Sequence, residues 1–278
     1  MDSLSFKERS EVRMGFNEIS ARYERDSIVQ SSAAGKLLGL LDIKRDDDVL
    51  DLGCGAGNLT KKLRALTAGK VVGIDPSEGM IREAEAKRDG HDIAFSVINA
   101  DTMQFRDRFS AIFCNSVFQW FRDPALVLKN CHTALRKGGR MAIQAPATKD
   151  YCPQFIAAVN AAANDARTAK TYSSLGSPWL FLETAEEYAA LFRRAGFTVP
   201  FAKIETISSV HSPDEAMTIF ESGAAAGYLN QEHYSTKTDE EYTKAFREIV
   251  RISFQRQTRQ DGKIELVFNR IYLVAIKL

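Results

Sequence analysis

Residues 49–58 read VLDLGCGAGN, a short apolar run that is interrupted by an acid and then carries glycine at every second position. The glycines are Gly53, Gly55 and Gly57. A glycine loop between a strand and a helix lets the backbone come close to a ligand and points its N–H groups at the bound group. This stretch therefore predicts a nucleotide-binding loop, although the loop alone does not say which nucleotide.

Short strands and helices alternate from this loop onward. The predicted strands are DDDVLDLG, KVVGID, IAFSVINAD, RFSAIFCNS and RMAIQAP, and the predicted helices are NLTKKLRALTA, SEGMIREAEAKRDG and PALVLKNCHTALRKGG, the last one ending on a glycine pair. Strands separated by helices of this length predict right-handed crossovers and a parallel sheet that is covered on both faces. We therefore expect an α/β fold of the doubly wound, Rossmann-like kind.

The two ends of the chain depart from this alternation. The N-terminal segment is predicted to be helical, with Phe16, Ile19 and Tyr23 on one face. The stretch 148–181 is long and interrupted by Ser, Gly and Pro, which favours an insertion or lid. We expect an N-terminal helical segment over 1–45, a nucleotide-binding core over 46–147, cap helices with part of the sheet over 148–262, and a final strand of the core sheet over 263–278. The alternative is a separate C-terminal domain.

Composition narrows the classes of partner. The 278 residues include 37 Lys and Arg against 36 Asp and Glu, so no bulk charge attracts nucleic acid or an anionic membrane. The four cysteines lack CxxC spacing, which favours reduced thiols in the cytoplasm and no metal site. The first residues are charged where a secretory leader would be apolar, and no run of about 18 apolar residues occurs, so we expect neither export nor a membrane span. We expect a cytoplasmic protein, monomeric or dimeric, with a small-molecule or protein-borne substrate and neither nucleic acid nor membrane as a partner.

Three acids indicate which nucleotide binds. The loop reads GxGxG, and Asn58 stands where the dinucleotide pattern GxGxxG has its third glycine. Asp51, two residues before the first glycine, would repel a pyrophosphate but could accept from an ammonium group. Asp75 ends the second strand and can accept from ribose hydroxyls, as it would in a dinucleotide fold. Asp101 ends the third strand, where it could accept from an adenine amino group. The pattern favours a nucleoside with a zwitterionic tail.

The segments VLDLGCGAGN, GIDPSEGM, NADTMQF, FCNSVFQWFRDP and LRKGGRMAI, in this order, resemble the class I S-adenosylmethionine-dependent methyltransferases over residues 45–146. The opening helices with Tyr23 and Gln30, the pair Gln119 and Trp120, and the final FNRIYLVAIKL resemble a narrower group. That group contains trans-aconitate methyltransferase and the malonyl carrier-protein methyltransferase of biotin synthesis, which both esterify carboxylates. The resemblance implies S-adenosyl-L-methionine as cofactor and a mostly parallel seven-stranded sheet with an antiparallel last strand and a helical cap.

The same resemblance implies a set of cofactor-binding residues. These are Asp51, Gly53, Cys54 and Gly55 at the methionine part, Asp75 at the ribose with Met80 packed on the nucleoside, Asp101 and Thr102 at the adenine, and Asn115 and Tyr23 at the methionyl end, where Tyr23 would close over the ligand. Met80 has the alternative of ordinary core packing, and Tyr23 that of a position on a helix surface. The predicted substrate pocket consists of Gln119, Trp120, Trp179 and Arg270, with Trp120 alternatively a core residue under the lid.

The chemistry requires little of the protein beyond alignment of two reactants and exclusion of water. A carboxylate acceptor is already a nucleophile at neutral pH, so we assign no catalytic residue. An amine or phenol would need a base, for which His211 and His233 are candidates in the cap. We therefore expect methyl transfer to a small-molecule or carrier-bound acceptor, with a carboxylate oxygen as target. The alternatives are a nicotinamide-dependent oxidoreductase and a non-catalytic nucleoside-binding module.

Overall fold

The computed structural model of the chain describes residues 28–278, with side chains from residue 33 onward. Its strands are β1 (Val49–Leu52), β2 (Val71–Asp75), β3 (Ala94–Val97), β4 (Phe109–Asn115), β5 (Leu135–Pro146), β6 (Thr198–His211) and β7 (Ile264–Ile276). They form one sheet in the order β3-β2-β1-β4-β5-β7-β6. Strands β1 to β5 pair in parallel, and β7 is antiparallel to both β5 and β6. The predicted doubly wound sheet with seven strands and an antiparallel last strand is confirmed.

Helices flank this sheet along the described part of the chain. They are α1 (Ile28–Leu41), α2 (Asn58–Leu66), α3 (Glu78–Ala86), α4 (Pro124–Ala134), α5 (Pro153–Asn164), α6 (Ala169–Tyr172), α7 (Ala185–Arg194), α8 (Pro213–Glu221), α9 (Ala225–Tyr228) and α10 (Glu240–Arg256). Side chains of Ser77, Thr184, Ser212 and Asp239 cap α3, α7, α8 and α10. Within residues 28–278, no helix has both the length and the apolar character needed to cross a bilayer.

The predicted boundary between α4 and β5 is wrong. The helix that was expected to end on the glycine pair stops at Ala134, and the pair lies in the first part of β5. The Gly138 N–H donates to the carbonyl of Lys277 at 2.7 Å, and the Lys277 N–H donates to the carbonyl of Gly139 at 2.9 Å. The end of the chain therefore draws these glycines into the sheet, a long-range pairing that the local pattern could not indicate.

Strand β7 belongs to two hydrophobic clusters at once. Near its beginning, Leu266 and Phe268 pack in a cluster with α5, α8 and α10, which we call the cap. Near its end, Tyr272 and Val274 pack in the cluster under α1. Because alternate residues of a strand share one face, all four side chains lie on the same side of β7, and so does Arg270 between them. Arg270 therefore lies where the cap meets the core.

We expect Thr184→Ala to lower the free energy of unfolding by about 1 kcal/mol. The Thr184 hydroxyl accepts from the Glu187 N–H at 3.2 Å, and the Glu187 carboxylate accepts from the Thr184 N–H at 2.8 Å. Alanine removes half of this reciprocal cap of α7, whereas Thr184→Ser keeps it and serves as the control. Urea denaturation followed by circular dichroism measures the difference, and equal values for alanine and threonine would contradict the prediction.

Candidate active site

Two glycines of the loop after β1 serve different purposes. Gly53 has φ +76°, and a Cβ there would lie 2.3 Å from Cγ2 of Val117 in the loop after β4. Gly55 has φ +52°, and a Cβ there would meet nothing within 4 Å. Gly53 therefore lets two loops of the protein approach each other. Gly55 keeps the surface of the loop bare, so that a ligand can reach the backbone.

Two carboxyl groups lie beside this loop, on neighbouring parallel strands. Asp51 is buried, and its Oδ2 accepts from the Thr60 hydroxyl at 2.6 Å. Asp75 accepts from the N–H groups of Ser77 at 2.9 Å and Gly55 at 3.1 Å. Burial raises the pKa of Asp51 to about 7, and the nearby charge of Asp75 adds to this effect. Burial likewise raises the pKa of Asp75 to about 6 against its two hydrogen bonds. Such a pair is suited to binding a cation or hydroxyl donors.

The predicted adenine residues follow the next strand, but the prediction that Asp101 ends this strand is wrong, because β3 ends at Val97. Asp101 and Thr102 are exposed in the turn region after β3. The Asn130 side chain of α4 donates to the backbone carbonyls of Ala100 at 3.1 Å and Asp101 at 2.8 Å, which fixes the position of this turn. Met80 is buried in the first turn of α3, the helix that follows Asp75. The structure thus brings these residues to the same edge of the sheet as the glycine loop.

A polar chain runs from β4 to β7 under this edge. The Gln144 amide is oriented so that both its nitrogen and its oxygen have hydrogen-bond partners. The nitrogen donates to Oδ1 of Asn115 at 2.9 Å, and the oxygen accepts from Nη1 of Arg270 at 2.8 Å. Gln144 is fully buried, and Arg270 is 5% exposed. Arg270 pairs with Pro146, the last residue of β5, and therefore lies at the carboxyl edge of the sheet. A predicted cofactor residue and a predicted acceptor residue are thus joined by one amide.

Aromatic side chains from the cap and from the loop after β4 form a second cluster, which we call the aromatic wall. It comprises Trp120, Tyr151, Trp179, Phe181 and Tyr228. The ring centroid of Trp179 lies 4.7 Å from that of Tyr228, 5.6 Å from that of Trp120 and 5.9 Å from that of Phe181. The centroids of Tyr151 and Phe181 are 5.0 Å apart. The structure therefore brings the predicted pocket residues Trp120 and Trp179 together.

Backbone hydrogen bonds connect the segments that hold Gln119 and Arg270 to residues in or next to the wall. The Gln119 side chain donates to the carbonyl of Ser116 at 2.9 Å, and its backbone carbonyl accepts from the Leu180 N–H at 2.8 Å, next to Trp179. The Asn269 N–H donates to the carbonyl of Tyr151 at 2.9 Å. This bond places the neighbour of Arg270 directly beside a residue of the wall. These bonds link Gln119 to the residue after Trp179, and the residue before Arg270 to Tyr151, and the shared pocket of the four predicted residues stays a prediction.

Comparison with known proteins now adds to the geometry. The family described as a methyltransferase domain matches residues 50–143, the range that holds the glycine loop, Asp75, Asp101 and Asn115. Trans-aconitate 2-methyltransferase of Methylobacterium radiotolerans is 28% identical over 267 residues, which cover 92% of this chain and 97% of that protein. The chain is a methyltransferase with the class I fold. Since this class takes its methyl group from S-adenosylmethionine, the predicted enzyme class and cofactor are confirmed.

Other similarities to this methyltransferase are partial or concern the fold alone. Malonyl-[acyl-carrier protein] O-methyltransferase of Acetivibrio thermocellus is 28% identical over 134 residues, so the match spans about half of each protein, at 47% of both. The solved structure of Burkholderia thailandensis 1,6-didemethyltoxoflavin-N1-methyltransferase, with bound 1,6-didemethyltoxoflavin and S-adenosylhomocysteine, superimposes with a TM-score of 0.56. It is 17% identical, and the superposition covers 100% of this chain and 92% of that chain.

Two predicted residues of the methyltransferase, Tyr23 and Gln30, fall outside the described side chains, and their roles stay predictions. Tyr23 lies outside the described residues, and Gln30 lies in the part of α1 that is described as backbone only. His211 is buried at the end of β6, with its Nε2 2.7 Å from the hydroxyl of Ser209. Burial lowers the pKa of both His211 and His233. Neither histidine shows a contact that would make it the base of the reaction.

Three residues of the site were missed by sequence reasoning. Gln144 offered a signal, because it is a polar residue in the otherwise apolar strand MAIQAP. The sequence gives no such signal for Thr60, which donates to Asp51, or for Asn130, which holds the turn at Asp101. Both lie on helices whose other polar residues look the same in sequence. Only the fold shows which polar side chain faces the site.

The raised pKa values of Asp51 and Asp75 predict how stability depends on pH. Protonation of these groups stabilises the fold fully below their ordinary pKa of 3.8, and this stabilisation is lost as pH rises through about 6 and 7. We expect Asp51→Asn to remove part of that loss, so that its free energy of unfolding falls less than that of the wild type between about pH 5 and about pH 8.

Urea denaturation of the ligand-free methyltransferase at several pH values measures this difference. The exposed Asp46→Asn is the matched control, since it removes the same charge outside the site and should leave the pH dependence of the wild type unchanged. Parallel curves for the wild type and Asp51→Asn would show that the Asp51 carboxyl titrates in its ordinary range.

Proposed function

We propose that the methyltransferase transfers the methyl group to a carboxylate oxygen of a small-molecule or carrier-bound acceptor. The observation that carries this proposal is Arg270. Among residues 33–278 it is the one Lys or Arg side chain that is buried, and it lies at the carboxyl edge of the sheet beside the cap. A guanidinium is well suited to a carboxylate, because its planar fork of N–H donors matches both oxygens. The names of the two relatives, which act on trans-aconitate and on a malonyl carrier protein, agree with such an acceptor.

The cofactor edge fits S-adenosylmethionine in charge and in space. Asp51 would accept from the ammonium of the methionine part, and Asp75 would accept from the ribose hydroxyls. The bare backbone at Gly55 leaves room for close approach. We propose the remaining contacts at Gly53 and Cys54 for the methionine part, Met80, Asp101 and Thr102 for the nucleoside, and Asn115 and Tyr23 for the methionyl end. When bound, S-adenosylmethionine supplies a methyl group on a positively charged sulfur.

The residues of the chain then have to orient and desolvate the acceptor. A carboxylate needs no general base at neutral pH, which agrees with the absence of a suitably placed histidine among the described residues. Arg270 would hold the carboxylate. The Gln144 amide, which bonds to both residues, would fix the position of Arg270 relative to Asn115. The aromatic wall would exclude water. Exclusion of water favours a step in which an anion and a cation both lose their charge.

The compartment and the assembly are also part of the proposal. All four cysteines are free and buried. Free thiols agree with a reducing compartment, and we propose the cytoplasm. A monomeric or dimeric state stays a prediction.

We expect Asp75→Ala to weaken binding of S-adenosylhomocysteine about ten-fold or more, because a charge-assisted bond to a hydroxyl contributes about 1.5 to 3 kcal/mol. Isothermal titration calorimetry measures the affinity. Asp46→Asn is again the control and should bind like the wild type. Equal affinity of Asp75→Ala and wild type would mean that the ribose lies elsewhere.

We expect methyl transfer to yield an ester. The test incubates the wild type with methyl-labelled cofactor and a panel of acids, amines and phenols, and then treats the product with mild base, which hydrolyses an ester. Arg270→Gln should raise KM for the acid about ten-fold or more, while Arg270→Lys should raise it less because it keeps the charge. Affinity for S-adenosylhomocysteine should stay within about two-fold in both variants. A base-stable product would overturn the carboxylate proposal.

A further inference from the structure

We infer that the acceptor is a monocarboxylate whose charged end is followed by an uncharged, largely apolar body, and that polycarboxylates are poor acceptors. The inference rests on the proposed function, because it takes Arg270 as the partner of the carboxylate. It goes further by naming the class of acid. It also separates this methyltransferase from the relative named for trans-aconitate, which is a tricarboxylate.

The distribution of charge around Arg270 favours an acceptor with one carboxylate. Arg270 is the one buried Lys or Arg among residues 33–278. Asn269, the residue before it, donates its N–H to Tyr151 of the aromatic wall, and the side chains of this wall are neutral aromatic rings. Cys152, which also lies near Arg270, is neutral as well, because burial raises its pKa to about 12 although the charge of Arg270 opposes this shift. Near the far end of the wall, Arg122 is exposed. A second carboxylate would therefore lie against aromatic rings without a buried cation, which is costly.

The indole rings of the aromatic wall are only partly covered by the protein. Trp120 and Trp179 are half-buried, whereas the phenylalanines of the cap core such as Phe155 and Phe220 are buried. Part of each indole surface therefore remains available to an apolar ligand. Indole rings offer a large, rigid apolar surface at a small cost in conformational entropy. An apolar body next to the carboxylate would cover this surface.

Trp179 is held in place by the backbone at Gly227 and by the ring of Tyr228. A Cβ on Gly227 would lie 1.9 Å from Cζ2 of Trp179, so the indole rests directly on the backbone of α9. Tyr228, the next residue, contacts the same indole edge to face at 4.7 Å between centroids. The position of the indole thus depends on a residue without a side chain. Gly227 is consequently a specificity-determining position for the body of the acceptor.

The chain carries its own reporter for a binding experiment. It has two tryptophans, Trp120 and Trp179, and both lie in the aromatic wall. In the presence of S-adenosylhomocysteine, tryptophan emission is titrated with octanoate, with the malonyl thioester of N-acetylcysteamine and with trans-aconitate. The first two probes carry one carboxylate and distinguish a free acid from a thioester-borne one. We expect at least one of them to bind about ten-fold or more tightly than trans-aconitate.

The matched variants are Gly227→Ala and Gly176→Ala. A Cβ on Gly176 would have its nearest neighbour, the carbonyl of His233, at 3.6 Å, so this control changes the same residue type in the cap without displacing a ring. Gly227→Ala should raise KM for the preferred monocarboxylate about five-fold or more and leave the affinity for S-adenosylhomocysteine unchanged. Trp179→Leu should act in the same way, and it provides the comparison if Gly227→Ala does not fold.

The outcomes separate the two proposals. Ester formation on trans-aconitate with a kcat/KM equal to or above that of the monocarboxylates overturns the inference while the carboxylate proposal stands. Unchanged KM values in both Gly227→Ala and Trp179→Leu also overturn it. Ester formation on no acid, with methylation of an amine or phenol instead, overturns the carboxylate proposal itself. Preference for a monocarboxylate, lost in Gly227→Ala and kept in Gly176→Ala, supports both.

Discussion

The structure depends on two carboxyl groups that the fold buries next to each other at the ends of β1 and β2. Burial raises the pKa of both Asp51 and Asp75, so their charged forms cost more in the free protein than those of exposed acids. Hydrogen bonds partly offset this cost. The Thr60 hydroxyl donates to Asp51, and the N–H groups of Gly55 and Ser77 donate to Asp75. A positively charged, hydroxyl-bearing ligand, as proposed above, would offset this cost to stability.

Strand β7 connects this cofactor edge with the cap. The strand contributes to the cap cluster near its beginning and to the core cluster near its end, with Arg270 at the transition. Gln144 then ties Arg270 to Asn115 across β5. A displacement of the cap would therefore change the position of Arg270 more directly than that of the glycine loop. On the proposed function, the core would determine where the methyl donor lies, and β7 would determine where the acceptor lies relative to it.

The sequence predicted the sheet and the strand ends around the glycine loop well, and the arrangement of the cap only in outline. Strand ends, glycine spacing and acids are local signals, and parallel pairing brings them to one edge automatically. The glycine pair after α4 was assigned to the wrong element, since its partner is the distant Lys277. Trp120 and Trp179 were named separately, but their contact depends on a chain reversal in the cap that no local pattern encodes. Gln144 was visible as a polar residue in a buried strand, yet its two partners could be known only from the folded sheet.

The charge of the reacting groups explains why the acceptor half needs so few polar residues. A carboxylate and a sulfonium both lose their charge as the methyl group is transferred, so strong ionic contacts along the whole acceptor would stabilise the reactants more than the transition state. One guanidinium suffices for orientation, and an apolar wall does the rest by excluding water. Whole-chain similarity to a trans-aconitate methyltransferase therefore says less about the acceptor than the single buried cation does. Similarity is carried largely by the fold and the cofactor edge, whereas the number of carboxylates that the site tolerates is set by Arg270 and the aromatic rings around it.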